Sequence, residues 1–138
     1  MRDGLIWLAL VALGGGLGSI ARFWVSGVVA RRYGETFPWG TLAVNVTGAA
    51  AIGVLAALLL APGSPAFGHG PAWSGLAIGL LGSYTTVSSF SLQTLALARS
   101  GETGRALANI ALSLLLCLAA TTAALLATRQ ALALWGAA

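Results

Sequence analysis

The amino-acid sequence predicts an all-α membrane protein with four transmembrane helices in a single domain. Of its 138 residues, 58% are hydrophobic and only 7% are charged, which leaves too little polar surface for a water-soluble chain. Four apolar runs are each long enough to cross a hydrocarbon core of about 30 Å, at a helical rise of roughly 1.5 Å per residue. The runs cover approximately 4–30, 38–61, 74–98 and 104–130.

Charged residues or Gly/Pro/Ser segments mark the ends of these runs. Arg31 and Arg32 open the first loop, a Gly/Pro/Ser segment over 62–71 forms the second, and residues 99–104 form the third. The side of loops one and three carries four arginines and the opposite side two. This bias favours a cytoplasmic position for loops one and three, but it also suits a chain that inserts in both orientations.

The acidic residues argue against several classes of protein. Asp3, Glu35 and Glu102 lie at the ends of the runs or in loops, whereas proton-coupled transporters need a titratable group at membrane depth. A four-helix multidrug transporter would need a glutamate in its first helix. Enzyme chemistry would have to rely on hydroxyls, Cys117 and His69, so we expect no enzyme. The arginines are dispersed, so we expect no nucleic-acid partner.

Glycines and hydroxyl groups concentrate in the middle of the third run. They are costly in lipid unless they face protein or water, and glycines beside β-branched residues favour a helix broken near the bilayer midplane. Backbone carbonyls freed by a break could hold a cation. Alternatively, the hydroxyls bond their own or a neighbouring helix. The residues are Gly79, Gly82, Ser83, Tyr84, Thr85, Thr86, Ser88, Ser89 and Ser91.

Polar side chains also line one face of the second and fourth runs. Thr41, Asn45 and Gly48 recur at spacings of four and three. The Asn45 carboxamide could donate hydrogen bonds to an anion or bond a neighbouring helix. In the fourth run, a stripe at four-residue spacing forms either a polar track or a packing seam, and its members are Asn109, Ser113, Cys117 and Thr121.

The first run contains one cation at depth, Arg22. It lies roughly 13 Å from Arg31 along a helix and could concentrate anions in a vestibule, or it could snorkel outward or bond backbone carbonyls. Gly14 and Gly18, at a spacing of four in the same run, indicate a close helix crossing.

Together these residues resemble the Fluc (CrcB) family of fluoride channels, and the resemblance extends over all four runs. Membership would imply passive, selective export of fluoride across the cell (inner) membrane. It would also imply an antiparallel, dual-topology dimer of two oppositely inserted four-helix subunits, with two pores at their interface. The matching residues are Gly18, Ala21, Arg22, Gly40, Thr41, Leu42, Asn45, Gly48, Gly82, Thr85, Thr86, Ser88, Phe90 and Ser91.

The resemblance implies roles for individual residues. Asn45 maps to the family's pore asparagine, with Thr41 one turn earlier. Positions 87 and 90 map to a pair of pore phenylalanines, of which Phe90 is present, and the positive edges of such rings can flank a dehydrated anion. The family's polar track on the fourth helix maps to Asn109, Ser113 and Cys117.

A metal site and three departures complete the comparison with the family pattern. A structural sodium ion at the dimer centre would be held by the backbone carbonyls of Gly82 and Thr85. Val87 stands where a phenylalanine is expected, Ser89 replaces a threonine, and Gln93 replaces a glutamate.

The valine leaves two explanations open. Either the pore tolerates Val87, or the chain pairs with a close homologue whose phenylalanine pair is complete. A small multidrug-type transporter and a non-conducting membrane assembly subunit remain as alternatives from other classes.

Overall fold

The chain folds into helices throughout the part that the computed structural model describes, residues 2–59 and 70–136, with side chains from residue 4. Helix α1 spans Arg2–Tyr33 and α2 spans Trp39–Leu59. Helix α3 covers 71–84 and joins the turn Pro71–Trp73, a π-helical segment Ser74–Leu81 and the turn Gly82–Tyr84. Helix α4 spans Val87–Arg99 and α5 spans Thr103–Gly136. Most of the loop predicted over 62–71, including His69, lies outside the described residues.

Three of these helices are long and apolar enough to cross a membrane. They are Gly4–Tyr33, Trp39–Leu59 and Thr103–Gly136. Much of the described surface is apolar too, with large side chains such as Phe23 and Leu114 exposed. The chain is therefore an all-α, multi-pass membrane protein, as the composition predicts.

The third apolar run is interrupted between α3 and α4. Thr85 (φ −78°, ψ 158°) and Thr86 (φ −150°, ψ 123°) are both extended, whereas Gly82 just before them is helical. Upstream, the Gly82 N–H donates to the carbonyl of Ala77, five residues back, which is the wide π-helical pattern. The run predicted over 74–98 is thus two half-helices joined by two extended threonines.

Close helix crossings depend on glycines. Gly14 and Gly18 of α1 face the backbone of α3, at the carbonyls of Gly75 and Leu80. A Cβ atom on Gly79 would lie 2.8 Å from the carbonyl oxygen of Val11. These contacts bring the backbones of α1 and α3 together, in agreement with the crossing predicted from the glycine spacing.

Helix α2 packs along α5 on its other side. Gly53 faces the carbonyl of Thr121, and the Thr121 hydroxyl donates to the carbonyl oxygen of Ala49 at 2.9 Å. The predicted stripe on the fourth run therefore includes a packing contact at its last member, Thr121. Helix α2 is the central element, because it contacts α1, α3, α4 and α5.

We predict that Gly18→Ala destabilises the fold by roughly 1–3 kcal/mol, because the added methyl group would collide with the backbone of Leu80. Gly16→Ala is the matched control, since no atom lies within 4 Å of its Cβ position. Thermal unfolding of the purified variants in detergent measures the difference. Equal midpoints for the two variants would show that the α1–α3 crossing is looser than described.

Candidate functional site

The side chain of Asn45 pairs with the backbone of Thr86 at the break. Its Nδ2 donates to the carbonyl oxygen of Thr86 at 2.9 Å, and its Oδ1 accepts from the N–H of Thr86 at 2.8 Å. An extended residue presents its N–H and C=O on the same side, so one carboxamide can satisfy both. Each bond contributes about 1 kcal/mol, and a lost partner at depth costs more.

Thr86 also caps the N-terminus of α4 with its side chain. Its Oγ1 accepts from the N–H of Ser89 at 3.2 Å and lies 3.1 Å from the hydroxyl of Ser88. This is an N-cap interaction, and it lets a helix begin one residue after an extended one. Thr86 thereby stabilises the new start of the helix, while Asn45 holds the backbone that precedes it.

These side-chain contacts release two backbone carbonyls. In a continuous helix, the N–H of Thr86 would bond the carbonyl of Gly82, and the N–H of Ser89 would bond that of Thr85. Here these N–H groups donate to Asn45 and to the Thr86 hydroxyl instead. The carbonyls of Gly82 and Thr85 thus lack their regular helical donors, at the negative end of the α3 dipole.

The donor set at this point fits a hard monovalent cation. Carbonyl oxygens of an unwound segment and the C-terminal end of a half-helix are typical sodium ligands in membrane proteins. Within the described residues, no group of three or more His, Cys, Asp and Glu side chains could hold a metal. Gly82 is exposed at the surface of the single chain.

A cavity of about 830 Å³ leads from the loop-one and loop-three end of the bundle towards the break. A smaller cavity of about 210 Å³ adjoins it, since both are lined by Phe23, Ser26, Thr41 and Ser89. The smaller one also reaches Arg22, Ser19 and Thr86.

Arg22 gives the smaller cavity its charge. Within the part of the chain that the structure describes, Arg22 has no ion-pair partner. The surrounding hydroxyls can turn their protons towards an anion. Arg22 thus lines the smaller cavity together with the hydroxyl groups of Ser19, Ser26 and Thr41.

The mouth of the larger cavity is polar, and the charge of its arginine is neutralised by a glutamate. Arg105 forms an ion pair with Glu102 at 2.6 Å and donates to the carbonyl oxygen of Thr36 at 3.4 Å. Glu35 lies at the same mouth. The Arg105–Glu102 pair is about half exposed, so it adds little stability, but it links loop three to loop one.

Asn109 lies deep in the α4–α5 contact and is 1% exposed. Its Nδ2 donates to the Thr94 hydroxyl at 2.8 Å, and Thr94 donates to the carbonyl oxygen of Phe90 at 2.7 Å. The Oδ1 atom of Asn109 and the Oε1 atom of Gln93 are both buried without a hydrogen-bond partner. Buried amide oxygens without a partner are unusual, because buried polar groups are nearly always paired.

The structure brings some of the predicted residues together and leaves others apart. Thr41, Ser89 and Arg22 share the smaller cavity, and Asn45 meets them through Thr86. Phe90 and Asn109 are connected through Thr94. Ser113 is half-buried on α5, and Val87 is 76% exposed and not among the residues that line these two cavities.

Sequence reasoning missed two serines of α1 that line the smaller cavity, Ser19 and Ser26. Together with Arg22 they follow a spacing of three and four, which places them on one face of a helix. That periodicity was available from the sequence. Thr94, the partner of Asn109, had no comparable local pattern.

The fold defines a multi-pass α-helical membrane protein whose polar groups gather around one interrupted helix. The chain belongs to the CrcB family, because the family model described as "CrcB-like protein, Camphor Resistance (CrcB)" matches residues 9–125. This confirms the family resemblance.

Several relatives align over most of the chain. It is 56% identical over 129 residues to "Fluoride-specific ion channel FluC 2" of Rhodopseudomonas palustris (strain BisB18), covering 94% of this chain and 98% of the relative. It is 56% identical over 112 residues to "Fluoride-specific ion channel FluC 2" of Bradyrhizobium diazoefficiens, 81% of each. It is 54% identical over 110 residues to "Fluoride-specific ion channel FluC" of Opitutus terrae, 80% of this chain and 83% of the relative.

We predict that Thr86→Val lowers the thermal unfolding midpoint, because it removes the N-cap oxygen of α4 and costs about 1 kcal/mol. Thr86→Ser is the matched control, since it keeps that oxygen. Differential scanning fluorimetry in detergent would compare the two. A valine variant that keeps the wild-type midpoint would show that the cap oxygen of Thr86 does not stabilise the start of α4.

Proposed function

We propose that this chain is a subunit of a fluoride-selective channel that exports fluoride passively across the cell membrane. The observation that carries this proposal is the 56% identity, over nearly the full length of both chains, to a relative named as a fluoride-specific ion channel. The protein is then an ion channel and not an enzyme.

The adjoining cavities supply an entry for the anion. The Arg22 guanidinium in a low-dielectric setting raises the local anion concentration, and nearby hydroxyls can replace part of the hydration shell. Thr41 and Ser89 line both cavities, so they lie where an ion would pass from the outer to the inner one. Their hydroxyls are therefore proposed as fluoride donors.

The next donors are proposed on α4 and α5. The Nδ2 of Asn109 has a second N–H beyond its bond to Thr94, and this N–H is proposed as a donor to the anion. Ser113 lies one turn further along α5. Phe90 would contribute its positive ring edge, and Asn45 retains one N–H beyond its bond to Thr86.

The complete pore is proposed to require a second, inverted copy of the chain. The polar side chains of Thr47, Ser88 and Ser91 are exposed on the single chain, near the break or just beyond it. Polar side chains that face lipid at membrane depth are costly, whereas a second subunit or a wet pore would cover them. In this arrangement α3 and α4 together form the third of four spans in each subunit. Two pores follow the dimer interface.

A structural sodium ion is proposed at the centre of this dimer. The Gly82 and Thr85 carbonyls of each subunit would hold it, since both are released by the break. The ion would supply positive charge between two half-helix C-termini that otherwise repel each other.

The valine at position 87 leaves both a homodimer and a heterodimer open in this proposal. Its side chain is exposed and could be covered by a partner's aromatic ring. A homodimer needs no such ring, whereas a heterodimer would obtain it from a close homologue.

We predict that liposomes containing the purified protein release fluoride much faster than chloride when potassium efflux through valinomycin balances the charge. A fluoride electrode and a chloride electrode measure the two rates, and protein-free liposomes give the background. No fluoride flux from correctly inserted protein would overturn the homodimeric channel. Flux restored by a co-expressed homologue would then support the heterodimer.

We predict that Val87→Phe keeps or raises the fluoride flux, because the added ring edge would contact an ion near the start of α4. Ile20→Phe is the control, since Ile20 is 68% exposed on α1 and is not among the residues that line the two cavities. The same electrode assay measures both variants. A Val87→Phe channel that no longer conducts would remove this position from the proposed pathway.

A further inference from the structure

The interruption of the third run has no sufficient cause in its own sequence. Sharp helix breaks arise at proline, at Gly/Ser pairs, or where a side chain inserts into the backbone hydrogen-bond ladder. Residues 72–99 contain no proline, and the Gly82–Ser83 pair is itself helical. The extended residues are Thr85 and Thr86, which cost a helix only a few tenths of a kcal/mol each. The Thr86 hydroxyl caps α4, but the group that bonds the N–H and C=O of Thr86 comes from another element.

We propose that Asn45 is a positioning residue that holds the break open from α2. Its carboxamide inserts into the ladder and takes both backbone groups of Thr86, at 2.9 and 2.8 Å. The nitrogen and the oxygen of that carboxamide both keep Thr86 extended. Any contact between Asn45 and the anion uses only the remaining N–H.

Two neighbouring contacts orient α2 for this role. The hydroxyls of Thr47 and Tyr84 lie 2.8 Å apart, and Gly48 faces the side chain of Thr85. Residues 45, 47 and 48 of α2 thus touch the three successive residues 84, 85 and 86. Of these three α2 residues, only Asn45 takes the backbone N–H and C=O of Thr86, so only Asn45 acts directly on the helical state of Thr86.

Loss of the carboxamide would favour closure of the helix. The N–H of Thr86 cannot remain unpaired in a membrane, and its nearest regular acceptor is the carbonyl of Gly82, four residues back. Closure would occupy one of the two carbonyls that the break releases. Under the proposed function, the sodium site would then lose a ligand, so this consequence rests on that proposal, whereas the clamp itself does not.

The direct test measures the conformation of Thr86. Carbon-13 chemical shifts of Thr86 in lipid-reconstituted, threonine-labelled protein distinguish extended from helical backbone. We expect extended shifts in the wild type and in Thr47→Val, and helical shifts in Asn45→Ala. Extended shifts in Asn45→Ala would overturn the proposal, whether or not the protein conducts fluoride.

A second variant covers the case in which Asn45→Ala does not assemble. A protonated aspartate at position 45 offers one O–H donor and one carbonyl acceptor, as asparagine offers an N–H and a carbonyl, but the ionised form cannot donate to Thr86. In Asn45→Asp, Thr86 should therefore be extended at acidic pH and should lose the extended conformation at alkaline pH. A conformation that does not change with pH would contradict the clamp.

The functional readout separates the clamp from the channel proposal. In the efflux assay, sodium replaced stepwise by N-methylglucamine gives the sodium concentration for half-maximal flux. We expect Asn45→Ala to raise it about tenfold, the factor that corresponds to about 1.4 kcal/mol, and Asn45→Asp to approach the wild type at acidic pH. A wild-type flux that does not depend on sodium concentration would count against the sodium site. The chemical shifts of Thr86 would still test whether Asn45 holds the break open.

Discussion

In hydrocarbon, each backbone N–H and C=O must find its partner within the protein, because no water is present to accept or donate. In the described part of the chain, the helices meet that constraint in the ordinary way, through their own backbone hydrogen bonds. The segment at Thr85 and Thr86 does not. It is tolerated because a carboxamide from α2 and a hydroxyl from Thr86 itself take over the bonds that the helix gives up. The placement of α2, and with it the packing of the bundle, follows from this exchange.

The glycines make that exchange geometrically possible. Asn45 can reach Thr86 because α2 and the break approach closely, with Gly48 against the side chain of Thr85. On the opposite side, Gly14 and Gly18 let α1 press against α3. A short chain with a small buried core thereby obtains its rigidity from backbone proximity, which in a membrane replaces the hydrophobic drive available in water.

Hydropathy alone predicted the helical, membrane-spanning character of the chain, because lipid selects strongly for long apolar runs. The interruption was also visible, since glycines and hydroxyls at depth need an explanation. The partner of Asn45 was not, because it lies 41 residues away and its bond depends on how two helices cross. The sequence left the carboxamide equally suited to an anion or a neighbouring helix. The π-helical geometry of 74–81 had no recognisable signal in the residues.

The same limit applies to the cavity residues. Arg22 was conspicuous as a lone cation at depth, whereas Ser19 and Ser26 were not, since isolated serines in membrane helices commonly bond their own backbone. The Ser26 hydroxyl does lie 3.3 Å from the carbonyl oxygen of Phe23. A residue can thus satisfy its local bond and still line a cavity, and only three-dimensional structure distinguishes the two roles.

One interruption creates two electrostatic poles. Helix α3 ends at Tyr84 with the negative end of its dipole, and α4 begins at Val87 with the positive end of its own. The two partial charges lie a few residues apart, and neither belongs to an ionisable side chain. Because peptide dipoles do not titrate, the field at the break stays constant as cytoplasmic pH falls. A carboxylate or histidine at the same depth would lose or gain its charge under those conditions.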